Sequence, residues 1–249
     1  MTSLPPVPHT PRMTPAPEPD RSSVLTRATD GVGDRGAFDV RTWRNAYGPR
    51  GEAGLWLAGV LVAAFVWQMF NGGPLPWGLS GQAMAEGRLH TLASHMFVHG
   101  GVAHLMMNLG GLMALTGVVM GRFGRGTGAW LRYLLLFGLS GLSGAALYLA
   151  LHPAGVVPMV GASGAICGLW GAAARYAPDG GVAPLRSAQV RRNVVPFVQM
   201  NVILFLILFA LVRLSGGVGG LAWEAHLGGF LFGLLLGPWF APRPRDLTG

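Results

Sequence analysis

Four polar residues lie within otherwise apolar stretches of this chain, and their types suit acyl-transfer chemistry. Ser163 sits in Gly161-Ala162-Ser163-Gly164, and His226 in Ala225-His226-Leu227-Gly228-Gly229. His104 and Asn108 are four residues apart, which puts them on one face of a helix. A serine hydroxyl is a weak nucleophile until a base takes its proton, and histidine has the intrinsic pKa for that task. The oxyanion that follows needs donors already in place. The His104 and Asn108 side chains would supply them, together with the Ser163 backbone N–H at a helix N-terminus. No Asp falls in an apolar stretch, and Glu224 is only two residues before His226, so the pattern favours a Ser–His dyad over a triad. The sequence has no HExxH and no pair of aspartates in apolar runs, which argues against zinc and aspartyl protease chemistry.

These residues need elements to carry them, and composition says which. The chain has 249 residues, 51% hydrophobic and 11% charged, about half the charge fraction of a soluble domain. Apolar runs recur at 55–70, 102–121, 129–151, 160–177, 194–212 and 221–240. Most approach the ~20 residues that span a bilayer core. Backbone polar groups cannot stay unpaired in lipid, so the runs are expected to be helices. Any one of them could be the buried helix of a soluble protein, but six in succession with almost no internal charge argue against that. The predicted fold class is all-α, a polytopic six-transmembrane-helix bundle. Ser163 and His226 are each placed about one turn into their helices, at similar shallow depth. Glycines at four-residue spacing (Gly229, Gly233, Gly237) and Gly161, Gly164, Gly168 and Gly171 would let two of the helices approach closely.

Charge orients the bundle. All 18 basic residues are arginine, against 10 acids, for a net charge of +8. With the N-terminus cytoplasmic, the inner side holds Arg122, Arg125, Arg132, Arg175, Arg186, Arg191, Arg192, Arg243 and Arg245 against Asp179 and Asp246. The outer side holds Glu86, Arg88, Arg213 and Glu224, which sum to zero. The positive-inside rule expects this asymmetry, and anionic lipid explains the high pI without nucleic acid. Residues 1–50 are Pro-rich and polar and are expected to form a mostly disordered cytoplasmic tail. They lack the apolar core of a signal peptide. The membrane domain is then 51–242, followed by a short cytoplasmic tail, 243–249. The long outer connection, 71–101, is rich in Gly, Pro, Trp and His and is expected to be ordered. The single cysteine, Cys167, excludes an intramolecular disulfide. The lysine-free composition points to a bacterial inner membrane.

The ordered motifs resemble those of the rhomboid family of intramembrane serine proteases over about residues 55–240. His95-Met96-Phe97-Val98-His99-Gly100-Gly101 resembles the family's first-loop segment. It leads into the HxxxN element, His104 to Asn108, then the GxSG motif at Ser163 and the AHxxGxxxG helix at His226, Gly229 and Gly233. The resemblance implies cleavage of single-span membrane proteins in or near their transmembrane segment, without metal or cofactor. Ser163 would be the nucleophile, His226 the base, and His104, Asn108 and the Ser163 N–H the oxyanion site. It also links the fifth helix and the loop after it (194–221) to substrate gating. Two positions depart from the family. His90-Thr91 stands where many relatives carry Trp-Arg, and Cys167 where some carry a tyrosine packed on the base.

Two other readings compete with the protease. A non-proteolytic rhomboid-like protein could bind membrane helices without cutting them, although inactive relatives generally lack the serine or histidine. A carrier could use His90, His95, His99 and His104 for metal, but structural hydrogen bonding of a polar loop explains them more simply. The expected partners are single-pass membrane proteins and membrane lipid. The sequence leaves oligomeric state and the physiological substrate open.

Overall fold

The computed structural model describes residues 40–177, 180–215 and 220–242, with side chains for 51–177, 180–214 and 220–242. The predicted tail lies outside the described residues up to 39, and 243–249 lie outside them too. Of residues 40–50 only the backbone is described. It is helical and continuous with the first apolar run.

The described fold is all-α, with no strand among the described residues beyond two isolated bridges. Six helices carry it: α1 (Val40–Phe70), α4 (Val102–Phe123), α5 (Thr127–Leu151), α6 (Ser163–Arg175), α7 (Ala188–Ser215) and α8 (Trp223–Phe240). Two short helices, α2 (Gly81–Ala85) and α3 (Thr91–Ser94), lie in the long connection after α1. Among the described residues, four segments are long and apolar enough to cross a membrane: Gly51–Phe70, Val102–Phe123, Thr127–Leu151 and Ala188–Leu214. Large apolar side chains such as Leu131, Leu135, Val198, Val202 and Phe209 lie exposed along their outer faces. So much contiguous apolar surface needs lipid rather than water around it.

The two remaining helices form the middle. α6 packs against α4, α5 and α8, and α8 against α5 and α6. The fourth apolar run gives only a 13-residue helix that starts at Ser163 itself, not a turn earlier as the run suggested. At ~1.5 Å per residue it is about 20 Å long, shorter than the ~30 Å bilayer core. Gly161, with φ +111°, ends the extended approach there and turns the chain into the helix. α8 matches expectation, with His226 one turn in.

α6 and α8 meet backbone to backbone. A Cβ added at Gly229 would strike the Gly164 carbonyl oxygen, and one at Gly233 the Gly168 carbonyl oxygen. The glycine spacing therefore does act as a close-packing face. At the far end, Arg122 donates to Pro242 O at 2.9 Å, Arg175 to Leu234 O at 2.9 Å, and Tyr176 Oη to Gly237 O at 2.9 Å. Leu234 O lacks a helical donor because Pro238, four residues on, has no N–H. Gly237 O lies in the last turn of α8 and Pro242 O beyond it, where the helix has no further N–H to offer.

The 71–101 connection is ordered, as expected. Leu79 and Met159 exchange backbone hydrogen bonds at 2.9 and 2.7 Å, and the Ser80 hydroxyl caps α2 by accepting from Ala83 N at 3.0 Å. Gln68 of α1 holds the end of the connection. Its amide donates to His99 O at 2.6 Å and accepts from His99 N at 2.9 Å. At the positions that depart from the resembled motif, Thr91 is fully buried and donates to Arg88 O at 2.7 Å, while His90 meets Trp77 edge to face. The Gln68 clamp anchors the end of the loop at His99.

Two predictions follow from this packing. Gly233→Ala forces a Cβ onto backbone that cannot move aside, an overpacking of about 1–3 kcal/mol. Its melting temperature in detergent should fall clearly, whereas Gly138→Ala, which faces open space, should melt like wild type or slightly higher. The second concerns His99, whose imidazole is fully buried. Burial, and then the nearby His104, push its pKa down from 6.5 to about 4. The unfolded chain therefore takes up a proton first, and stability that is complete above pH 6.5 drains away as pH falls toward 4. Melting temperature should drop across that window, and His99→Leu should flatten the drop; an unchanged slope would contradict the assignment.

Candidate functional site

The site is built where the N-terminal ends of α4, α6 and α8 come together. Gly161 N donates to His95 O at 2.8 Å, which ties the start of α6 to the loop before α4. α6 has no side-chain cap at Ala162. Its first N–H groups, that of Ser163 included, therefore have no partner within the helix, and the helix dipole makes that end attractive to negative charge.

Ser163 Oγ lies 2.7 Å from His226 Nε2. Ser163 is half-buried and His226 buried. The contact follows from the α6–α8 packing: Gly164, next to Ser163, faces Ala225, next to His226, and a Cβ there would lie 3.1 Å from Ala225 O. The sequence expectation that small residues bring these two side chains into hydrogen-bond reach agrees with this geometry.

His104 and Asn108 also reach this end of α6. A Cβ at Gly161 would sit 2.7 Å from His104 Nε2 and 3.8 Å from Asn108 Nδ2. Both nitrogens thus border a residue two positions before Ser163. Gly100 N donates to His104 Nδ1 at 3.4 Å. Asn108 donates one amide hydrogen to His104 O at 2.8 Å, and its Oδ1 is buried without a partner. His95 and His99 do not join the dyad. His95 Nδ1 bonds Thr91 O at 2.9 Å, and the His99 ring packs edge to face on His104. Among the described residues no three His, Cys, Asp or Glu side chains come together as a metal-binding group. Glu224 turns away to His152 Nε2 at 2.8 Å, 72 residues apart in sequence, and does not meet His226.

One residue of the site escapes the sequence reading. Asn201 of α7 places Oδ1 2.5 Å from His226 Nδ1. With Cys167 where some relatives have a tyrosine, the contact that orients the His226 ring comes from this amide. A signal was present: an amide in the middle of an apolar run is costly in lipid and needs a reason. The uniform hydropathy of 194–212 concealed it. Gln68, hidden in the same way within 55–70, is the second such residue. An apolar cavity of about 350 Å³ opens between α7 and the start of α8, with His226, Asn201, Phe197, Val202 and Trp223 in its wall.

This geometry agrees with the comparisons to known proteins. Residues 86–243 match the family described as the Rhomboid domain. RHOMBOID-like protein 5 of Arabidopsis thaliana is 30% identical over 168 residues, 67% of this chain and 49% of that protein. The chain spans about half the length of the curated relative it matches. Every residue of the Ser163 cluster falls inside the matched segment. The chain is therefore an integral membrane protein of helical-bundle fold that belongs to the rhomboid family.

Proposed function

We propose that the chain is an intramembrane serine endopeptidase that cleaves single-span membrane proteins in or near their transmembrane segment. The 2.7 Å hydrogen bond between Ser163 and His226 carries this reading. A serine and a histidine from separate helices, both in a largely apolar interior, are expensive unless they serve each other. As Ser163 Oγ attacks a substrate carbonyl carbon, its proton passes to His226 Nε2. The carbonyl oxygen becomes an oxyanion, met by the His104 and Asn108 donors and the Ser163 N–H. Collapse breaks the C–N bond, and His226 returns the proton to the leaving amine. A water, giving its proton to His226, then attacks the ester carbonyl; the bond to Ser163 Oγ breaks, the acid product leaves, and His226 returns the proton to Ser163 Oγ. These steps need only groups of the chain and one water.

The membrane setting defines the substrate class. The dyad sits at the start of a short helix among lipid-facing helices, and a transmembrane segment entering from the bilayer would be the substrate that meets it. The arginines at the opposite end (Arg122, Arg125, Arg132, Arg175, Arg186, Arg191 and Arg192) support a cytoplasmic placement of that end. The dyad then faces the outer leaflet, with both termini inside. The arginine-only basic composition fits a bacterial inner membrane.

The reading is tested with a single-span reporter reconstituted with the purified chain. Ser163→Ala and His226→Ala should each abolish cleavage, and full activity in either would sink the assignment. Asn108→Ala should lower kcat about 100-fold, the scale of one lost oxyanion donor; an unchanged kcat would remove Asn108 from the site. Co-purification of intact single-span proteins without cleavage would instead indicate a helix-binding protein.

A further inference from the structure

α7 is the least embedded helix of the bundle, yet it contributes a polar contact to the base. Among its described residues only Val190 and Phe197 are buried. Phe197 is stacked on Phe230 of α8, with ring centroids 3.8 Å apart and planes within 10°, and meets Trp170 of α6 edge to face at 5.6 Å. One turn further along α7, Asn201 meets His226. The aromatic stack fixes the rotation and height of α7, and so fixes where that amide stands.

The orientation of the amide is settled by its other end. Asn201 Nδ2 donates to Phe197 O at 2.8 Å, so Oδ1 is the atom turned to the imidazole. An amide oxygen only accepts hydrogen bonds. His226 Nδ1 must therefore carry the hydrogen, which leaves Nε2 as the bare nitrogen facing Ser163 Oγ. That tautomer is the only neutral one able to take the serine proton. Without Asn201, either nitrogen could hold the hydrogen, and a ring protonated at Nε2 would donate to Ser163 rather than accept from it.

We propose that Asn201 is the positioning residue that sets the His226 tautomer, and that docking of α7 through Phe197 on Phe230 is therefore required for a competent base. The proposal rests on the protease reading for its kinetic consequence, while the tautomer itself can be observed without cleavage. Asn201 does not touch the reacting carbonyl and acts only through His226. Its substitution should therefore affect kcat rather than KM.

The test uses the full chain in detergent with a single-span reporter, alongside 15N NMR of His226 at neutral pH, assigned by difference from His226→Gln. In wild type, Nδ1 should carry the hydrogen and Nε2 should be bare. Asn201→Leu should lower kcat about 100-fold, the scale of a lost general base, with KM unchanged and a mixture of tautomers. Asn201→Asp keeps an acceptor oxygen and should retain kcat well above the Leu variant. Phe197→Ala, with Asn201 intact, should show the same mixture of tautomers as Asn201→Leu. A wild-type ring protonated at Nε2 overturns the proposal without any variant. Wild-type kcat in Asn201→Leu, or equal losses in the Leu and Asp variants, overturns it as well. Failure of the wild type to cleave at all would refute the protease reading instead, and the NMR result would still decide the tautomer.

Discussion

The structure depends on the contact between the backbones of α6 and α8. Gly229 and Gly233 of α8 lie so close to the carbonyls of Gly164 and Gly168 that neither leaves room for a Cβ, and Gly171 of α6 is blocked in turn by Phe230 O. In lipid there is little hydrophobic drive between helices, so close van der Waals approach has to supply the adhesion. The same approach brings Gly164 against Ala225, and so sets the distance between their neighbours Ser163 and His226. The geometry of the Ser163–His226 pair and the packing geometry are thus one constraint. A hydrogen bond between side chains from two helices needs their axes close, and only glycine allows that closeness here.

A second constraint is the cost of polar groups inside an apolar molecule. Those of the described residues lie mainly at the two ends of the central helices. At one end Arg122, Arg175 and Tyr176 occupy carbonyls of α8 and the segment after it. At the other, Gln68 clamps the backbone at His99, Gly161 is tied to His95 O, and Asn201 faces His226. The long connection between α1 and α4 is ordered because it packs Leu79, Met96, Val98 and His99 into the bundle. That packing holds His104 and the start of α4 beside Gly161.

Much of this was legible in the sequence because the informative residues are rare types in apolar surroundings. Ser163, His226, His104 and Asn108 stood out by chemistry, and the glycines by spacing. Asn201 and Gln68 did not, since a run judged by its overall hydropathy averages away one amide, and their partners lie 25 and 31 residues distant in sequence. The start of α6 was misjudged for a local reason. An apolar run does not reveal where backbone conformation changes, and the positive φ of Gly161 stops the helix at Ser163. That shift matters chemically, because it leaves the Ser163 N–H without a helical partner and available to an oxyanion.

On the proposed protease reading, Ser163 is an activated nucleophile because His226 accepts its proton. The most direct measurement is labelling of the detergent-purified chain with a fluorophosphonate probe, wild type beside Ser163→Ala and His226→Ala. The expected result is covalent labelling of wild type at Ser163, lost in both variants. Labelling that persists in folded His226→Ala at the wild-type rate, or that maps to a residue other than Ser163, would contradict the claim.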